Sequence, residues 1–457
     1  PKSKDRVSQV VTIFLLAVLP VTLSEPSHQS IEDRQTFSQN RHSSSRTMEV
    51  DPTMLFAMMA AFIFAVLTLA NGSKPKGPEK KYPIILGFAT GNPPYKVTQQ
   101  QAADIAEKAP AVQEVRPLIQ RIYGNGKIST RYMAVPDFTP LQALEGDELF
   151  FKPRADGGDH YKVPVQDRLN KFREKAVPLV AEVCRRAVQD AGIEMSDIGK
   201  LVVVSSTGFL GPGLDCHIIQ EIGLSRGVDR ALIGFMGCAA AMNGFRVGMD
   251  YCRSHDKAAL VCCVELSSVH TTFDDNVNDA ILHAIFGDGC AAAVLGGRTA
   301  REAPKGAFAI VDDHAWLMEG TEDGITLSIN DTGISCKLSK YLPQYIAKNM
   351  KGYVDSFLGK HGLGMEDMDF WCVHPGGRRI IEEAQNGLGL TEEQCKYSWQ
   401  VLNDYGNMLS PSVMFVLELI LNDHKDALAK GEEGFKQGLA FSFSPGVGAE
   451  GIFLKVL

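Results

Sequence analysis

Apolar and polar positions divide the chain into two unlike parts. From residue 82 onward, short apolar runs of strand length alternate with longer stretches whose apolar residues recur every three or four positions. Strands are predicted over 82–89, 201–205, 259–266, 290–295, 307–312, 370–373, 439–443 and 451–457. Helices are predicted over 98–109, 112–123, 165–191, 279–286, 340–358, 379–386 and 413–421, the third kinked at Pro178 and stopped by Gly192. Several strands are continuously apolar and β-branched, the pattern of strands covered on both faces. Gly287-Asp288-Gly289 is expected to be a turn, and no Lys-Ser/Thr follows to make it a phosphate loop. Strand alternating with helix predicts an α/β fold.

The second half repeats the plan of the first. A buried strand ends at Ser205 and another at His374, each followed by a glycine-containing loop. A glycine and a functional residue then open an amphipathic helix, Gly237-Cys238 in one case and Gly406-Asn407 in the other. The spacing is the same in both, roughly 33 residues. This predicts an internal duplication with pseudo-twofold symmetry, an N-terminal half over 79–300 and a C-terminal half over 301–457. Such symmetry would bring Cys238, His374 and Asn407 together at the centre.

Cys238 follows a glycine bend and precedes Ala239, Ala240 and Ala241, so it is expected at the N-terminus of a buried helix. Unpaired N–H groups and the helix dipole at such a place stabilise a thiolate, and the thiol pKa is expected to fall. An inert core cysteine is the alternative. A cysteine, a histidine and an asparagine together can carry out acyl transfer. Cysteine hydrolases use a similar trio, so the trio alone leaves the reaction open. The symmetric arrangement favours His374 and Asn407 donating to one thioester oxygen and stabilising an enolate, with His374 and Cys238 as an imidazolium–thiolate pair. That suits decarboxylation of a malonyl thioester and carbon–carbon bond formation on an acylated Cys238. His217, His270 and His283 are expected to be structural or cavity-lining. Arg121, Lys127 and Arg131 form a basic cluster, alternatively a solvated face.

Composition narrows the field only modestly. A net charge of −8 without a basic block gives no reason to expect nucleic acid. Ten cysteines at irregular spacing make neither a disulfide framework nor a zinc site, so reduced thiols and no metal are expected. Residues 1–78 are different material. An apolar run over 10–23 lies behind Lys2, Lys4 and Arg6, a Ser-rich polar stretch spans 24–46, and a second apolar run covers 54–70. Either run resembles the hydrophobic part of a signal, and the second is nearly long enough to span a bilayer. A start at Met48 would make 48–70 a signal, transit segment or anchor on a secretory or plastid route. A cytoplasmic location is the alternative, as is a native protein without 1–47. Residues 1–78 are set aside from the fold.

Four segments carry a family resemblance: GFMGCAAAMNGFR (234–246), FGDGCAAAVLG (286–296), VHPGGRRIIEE (373–383) and YGNMLSPSVMFVLE (405–418). In this order they resemble the signatures of type III polyketide synthases, closer to the bacterial and algal branches than to the flavonoid-forming plant enzymes. The likeness spans about residues 80–457. It implies a thiolase-like fold of two duplicated halves in a layered αβαβα core. It also implies a homodimer using malonyl-CoA and an acyl-CoA starter, with no carrier protein and no cofactor beyond these thioesters. Phenolic (phloroglucinol-like) or pyrone products would follow. The resemblance makes Cys238 the nucleophile and His374 and Asn407 the decarboxylation and oxyanion pair. Phe286 matches a gatekeeping phenylalanine, and a second such position falls on Leu327, where the loss of a ring would enlarge the cavity. Gly376 and Gly377 count among the substrate contacts, and Arg121 aligns with a CoA-phosphate ligand. Another phosphate-binding position falls on Asn125, with Lys127 nearby, and Gly211 stands where plant enzymes place a methionine that reaches into the partner's cavity. A membrane-associated, fatty-acyl elongating 3-ketoacyl-CoA synthase is the alternative enzyme, and a catalytically dead acyl-binding protein of the same fold the alternative outside enzymes.

Overall fold

The computed structural model describes residues 51–71, 79–109, 112–139, 147–150, 162–331 and 333–457. The chain divides into two units, Pro1–Lys76 and Gly77–Leu457. In the first, Pro52–Asn71 forms one helix, with Met54, Phe56, Met58, Met59 and Ile63 exposed. It coincides with the second apolar run. The run over 10–23 and the Ser-rich stretch lie outside the described residues.

The second unit carries thirteen described strands: β1 (Tyr82–Gly91), β2 (Tyr95–Thr98), β3 (Thr130–Met133), β4 (Ile198–Val204), β5 (Asp229–Ile233), β6 (Ala258–Leu266) and β7 (Asp288–Arg298), then β8 (Phe308–Leu317), β9 (Ile325–Asn330), β10 (Gly333–Leu338), β11 (Phe370–Val373), β12 (Gln437–Ser444) and β13 (Gly448–Val456). Nine form a mixed sheet in the order β11-β12-β13-β8-β1-β7-β6-β4-β5. From β4 through β6 and β7 to β1, the neighbours run parallel, antiparallel, antiparallel. From β11 through β12 and β13 to β8 they do the same. The two series meet where β1 touches β8 at the pair Ile84 and Ala309. β5 extends the first series beyond β4.

Alternate residues of the strands feed different apolar clusters, as the two-residue period of a strand requires. Leu201 and Val203 of β4 pack with Val180, Val183 and Cys184 of the helix Val165–Asp190, which contains Pro178. Val202 and Val204 face the other way, toward Phe245 and Met249 of the helix Ala240–Ser254. That same cluster takes in Val413 and Val416 of the helix Ser410–Ala429 and Cys372 of β11. Trp371 and Val373 of β11 face a third cluster with Ile346 and Met350 of the helix Leu342–Gly359. Continuously apolar strands are therefore covered on both faces, as their sequences require.

One expected turn is absent. Gly287-Asp288-Gly289 does not reverse the chain: β7 already begins at Asp288. The buried Asp288 carboxylate accepts from the Ala134 and Ser268 backbone N–H groups and the Ser268 hydroxyl, so its charge is spent on structure. Strands β2, β3, β5, β9 and β10 and the helices Leu214–Ile222 and Lys396–Tyr405 were not predicted. β9 and β5 are mostly half-buried or exposed and lack the apolar run that marks a core strand.

The helix Ala240–Ser254 lies close on the strands because Gly244 and Gly248 stand one turn apart on its inner face. A Cβ on Gly244 would meet Val204 and Val261 side chains at 3.0 Å, and one on Gly248 would meet Leu295 and Val261 at 2.9 Å. Gly248→Val is therefore expected to destabilise the fold by about 1–3 kcal/mol through overpacking. Urea denaturation at fixed protein concentration reads this, and an unchanged midpoint would mean the helix has room to move.

Candidate active site

The three sequence-predicted residues come from three different kinds of local structure and meet in one cavity of about 500 Å³. Cys238 sits in the one-turn 3-10 segment Gly237–Ala239 that leads into the helix Ala240–Ser254. Gly237 has φ +57, and a Cβ there would lie 3.2 Å from the Pro445 ring. Both conditions call for glycine. The Gly237 N–H donates to the Ser206 hydroxyl at 3.1 Å, tying the Cys238 turn to the loop after β4.

His374 directly follows β11, and its backbone N–H donates to the Phe441 carbonyl at 3.0 Å. The ring is buried, and neither nitrogen has a hydrogen-bond partner among the described residues. Gly376 borders the ring: a Cβ there would stand 3.3 Å from Nε2. Asn407 is held by its backbone, donating to the Ile285 carbonyl and accepting from the Gly287 N–H, both at 2.9 Å. Its Oδ1 accepts from the Leu409 N–H at 2.8 Å, which turns Nδ2 toward the Gly376 carbonyl at 3.1 Å and the Cys238 sulfur at 3.7 Å.

The electrostatics differ from the sequence expectation. Although Cys238 opens a helix, burial pushes its thiol up to about 12; Asn407 counteracts this, and Cys336 and Glu265 add to it. The surface Cys238 retains faces the cavity, deep within the protein. Burial alone drives His374 down to about 3. Desolvation opposes charge on both groups and exceeds the pull of the helix end. Both shifts favour the thiol and the neutral imidazole over the thiolate and imidazolium expected from sequence.

Phe286 and Leu327 line this cavity, and both also line an adjoining chamber of about 890 Å³. Cys336 and Leu409 complete the shared wall. Cys336 stands directly across from Leu327 in the β9–β10 hairpin. Gly377, at φ +142, caps the helix Arg378–Leu388 beyond the cavity. Arg121 is exposed on the helix Arg116–Gly124 and lines neither chamber. The expected basic cluster does not form: Arg131 is buried, and its Nη1 donates to the Phe286 carbonyl at 2.6 Å and to that of His283.

Sequence reasoning missed Glu265 and Cys336. Glu265 is fully buried at the end of β6, where its carboxylate accepts from the Ser206 and Thr207 N–H groups and from the Thr207 and Ser410 hydroxyls. Burial raises it to about 7 against those bonds. A lone glutamate inside the apolar run 258–266 was the available signal. Cys336 carried none, since β10 has no core pattern.

Comparison with known proteins gives this geometry its context. Residues 76–299 match the model of the N-terminal domain of chalcone and stilbene synthases, and residues 310–457 that of the C-terminal domain. The chain is 39% identical over 385 residues, 84% of it and 93% of the relative, to the alpha-pyrone synthesis polyketide synthase-like Pks18 of Mycobacterium tuberculosis. It is 29% identical over 353 residues, 75% of it and 86% of the relative, to type III polyketide synthase B of Arabidopsis thaliana. Among solved structures it resembles PKS-I from the brown alga Ectocarpus siliculosus at 64% identity and a TM-score of 0.80, over 84% of this chain and 100% of that one. The large mixed sheet is thus thiolase-like, and the family implies CoA thioesters as substrates. The chain belongs to the chalcone and stilbene synthase family and is a type III polyketide synthase, an acyltransferase.

Proposed function

We propose that this enzyme condenses malonyl-CoA with an acyl-CoA starter held on Cys238 and cyclises the product to a phenolic (phloroglucinol-like) compound or a pyrone. The observation that carries the reading is the unpartnered His374 ring sharing one cavity with the Cys238 sulfur and the Asn407 amide. Cys238 Sγ attacks the starter carbonyl while its proton passes to His374; CoA leaves as the thiol by taking a proton. Malonyl-CoA then loses carbon dioxide, and the enolate oxygen receives hydrogen bonds from Asn407 Nδ2 and from the His374 ring N–H. The enolate carbon attacks the acyl thioester, expelling the Cys238 thiolate, which is reprotonated. Burial of His374 and Asn407 strengthens both donors.

Further elements of the reading have separate support. Two duplicated halves, 79–300 and 301–457, in a layered αβαβα core account for the matching strand series and the three apolar clusters. Phe286 and Leu327 bound the growing chain, Gly376 leaves room beside the His374 ring, Gly377 lets the chain turn into the helix that follows, and Arg121 reaches CoA phosphates from the surface. A homodimer without a carrier protein is the working assembly. The pyrone alternative draws on the name of the mycobacterial relative. The matched family models favour the polyketide reading over membrane-associated elongation.

Cys238→Ala should abolish condensation yet still release carbon dioxide slowly from malonyl-CoA, because the donor pair remains. His374→Ala should lower that release at least tenfold, about 1.4 kcal/mol of barrier. Release unaffected by His374→Ala would contradict the division of roles.

Alkylation of Cys238 by iodoacetamide follows the thiolate fraction. With the thiol raised to about 12, the rate should climb about tenfold per pH unit from pH 6 to 9 without levelling. A plateau beginning below pH 8 would mean the proton already rests on His374.

Leu327→Phe places a ring at the wall between the chambers. Each methylene of a long starter buried beyond it contributes about 0.8 kcal/mol, so lauroyl-CoA should lose more kcat/KM than acetyl-CoA. An unchanged ratio of the two would show that the chain does not pass Leu327.

A further inference from the structure

One histidine outside the proposed machinery bridges two parts of the wall. His270 ends the short turn Ser267–His270, is buried, and lines the larger chamber. Its Nε2 lies 2.7 Å from the Thr207 carbonyl oxygen, and the Ile334 N–H points at Nδ1 from 3.3 Å. A carbonyl only accepts and a backbone N–H only donates. Both bonds therefore exist together in one state alone, the neutral imidazole with its proton on Nε2. Burial, with the Arg168 guanidinium adding to it, pushes His270 down to about 4 and keeps that state populated at neutral pH.

The two partners belong to different structures. Thr207 lies in the loop clamped by Glu265, the loop whose Ser206 hydroxyl receives the Gly237 N–H beside Cys238. Ile334 lies near the start of β10, in the hairpin that presents Leu327 and Cys336 to the chambers. Asn278 holds the far end of β10, through its bonds with the Cys336 carbonyl at 3.0 Å and the Leu338 N–H at 3.4 Å. His270 holds the near end. The segment beneath it is itself anchored: the buried Arg168 donates to the Val269 and Thr271 carbonyls at 3.0 and 2.7 Å and to that of Val163 at 2.9 Å.

We propose that His270 is a positioning residue that fixes the β9–β10 hairpin against the Cys238 platform and so sets the aperture between the two chambers, and with it the length at which the chain leaves. The last clause rests on chain growth at Cys238.

The test compares His270→Asn, His270→Phe and His270→Ala in the full chain. Asparagine Oδ1 takes the place of Nδ1 as acceptor for Ile334, whereas phenylalanine keeps the bulk of the ring and neither bond. Hydrogen exchange over residues 325–338 is read by mass spectrometry, and chain-length distribution with lauroyl-CoA and malonyl-CoA by chromatography. In His270→Phe, exchange should quicken at least tenfold and the share of the main wild-type chain length should fall at least threefold. His270→Asn should stay within about twofold of wild type in both. Unchanged exchange in His270→Phe, or a phenylalanine variant closer to wild type than the asparagine one, overturns the proposal, since the ring then only fills space. Where His270→Phe does not fold, equal behaviour of His270→Asn and His270→Ala overturns it. Absence of any polyketide from the wild type would count against growth at Cys238, while the exchange measurement still decides the hold of His270 on the hairpin.

Discussion

The site depends on one short backbone contact between the two series of strands. Phe286 and Asn407 form an isolated parallel bridge, closed by the Asn407 N–H on the Ile285 carbonyl and the Gly287 N–H on the Asn407 carbonyl. This contact places the Asn407 amide beside the sulfur and the Phe286 ring in the wall of the same cavity. Arg131 braces it from behind, since its guanidinium donates to the Phe286 carbonyl. A buried guanidinium is costly unless its donors are used, and here Nε donates to Gln99 while Nη1 reinforces the backbone at Phe286. A buried carboxyl group does the same for the Cys238 turn. Glu265 gathers the loop after β4, and that loop receives the Gly237 N–H.

How much of this could be read from sequence follows from what each residue has to satisfy. Cys238, His374 and Asn407 were legible because each ends or opens a buried element with a strong apolar pattern, and because the roughly 33-residue spacing recurs. The core strands were legible for the same reason: a strand covered on both faces must be continuously apolar. Asp288 misled because two glycines flank it, and glycine is as common in turns as in strands that meet another backbone closely. Gly289 is of the second kind, with a Cβ there falling 2.4 Å from the Met408 sulfur. Arg131 looked like part of a surface cluster because nothing in the spacing marks a buried cation whose partners are carbonyls.

The ionisation of the pair was not legible at all. A helix start lowers a thiol pKa, and the sequence announces a helix start. It does not announce the depth of the cavity, and desolvation of a charge in a buried site exceeds the effect of one helix terminus. The consequence is chemical. A neutral imidazole keeps one donor and one bare nitrogen, so the same ring can take the thiol proton and hold an enolate oxygen at different steps. A site this buried could hold both charges only as a close pair.

The least legible element, the β9–β10 hairpin, is also the one that shapes the wall. Of its strand residues only Gly333 is buried; the others are half-buried or exposed. Only its outer end, Ile325 and Leu338, packs against a core cluster, and the Gly446 N–H holds Ile325 there, so bonds from Asn278 and His270 carry much of the rest. The division is physically reasonable. The residues proposed to perform the chemistry sit on buried elements whose position is overdetermined, whereas an element held by a few replaceable bonds can shift by a single substitution without unfolding the protein. A synthase built this way keeps its condensation machinery while the chamber beside it is free to change.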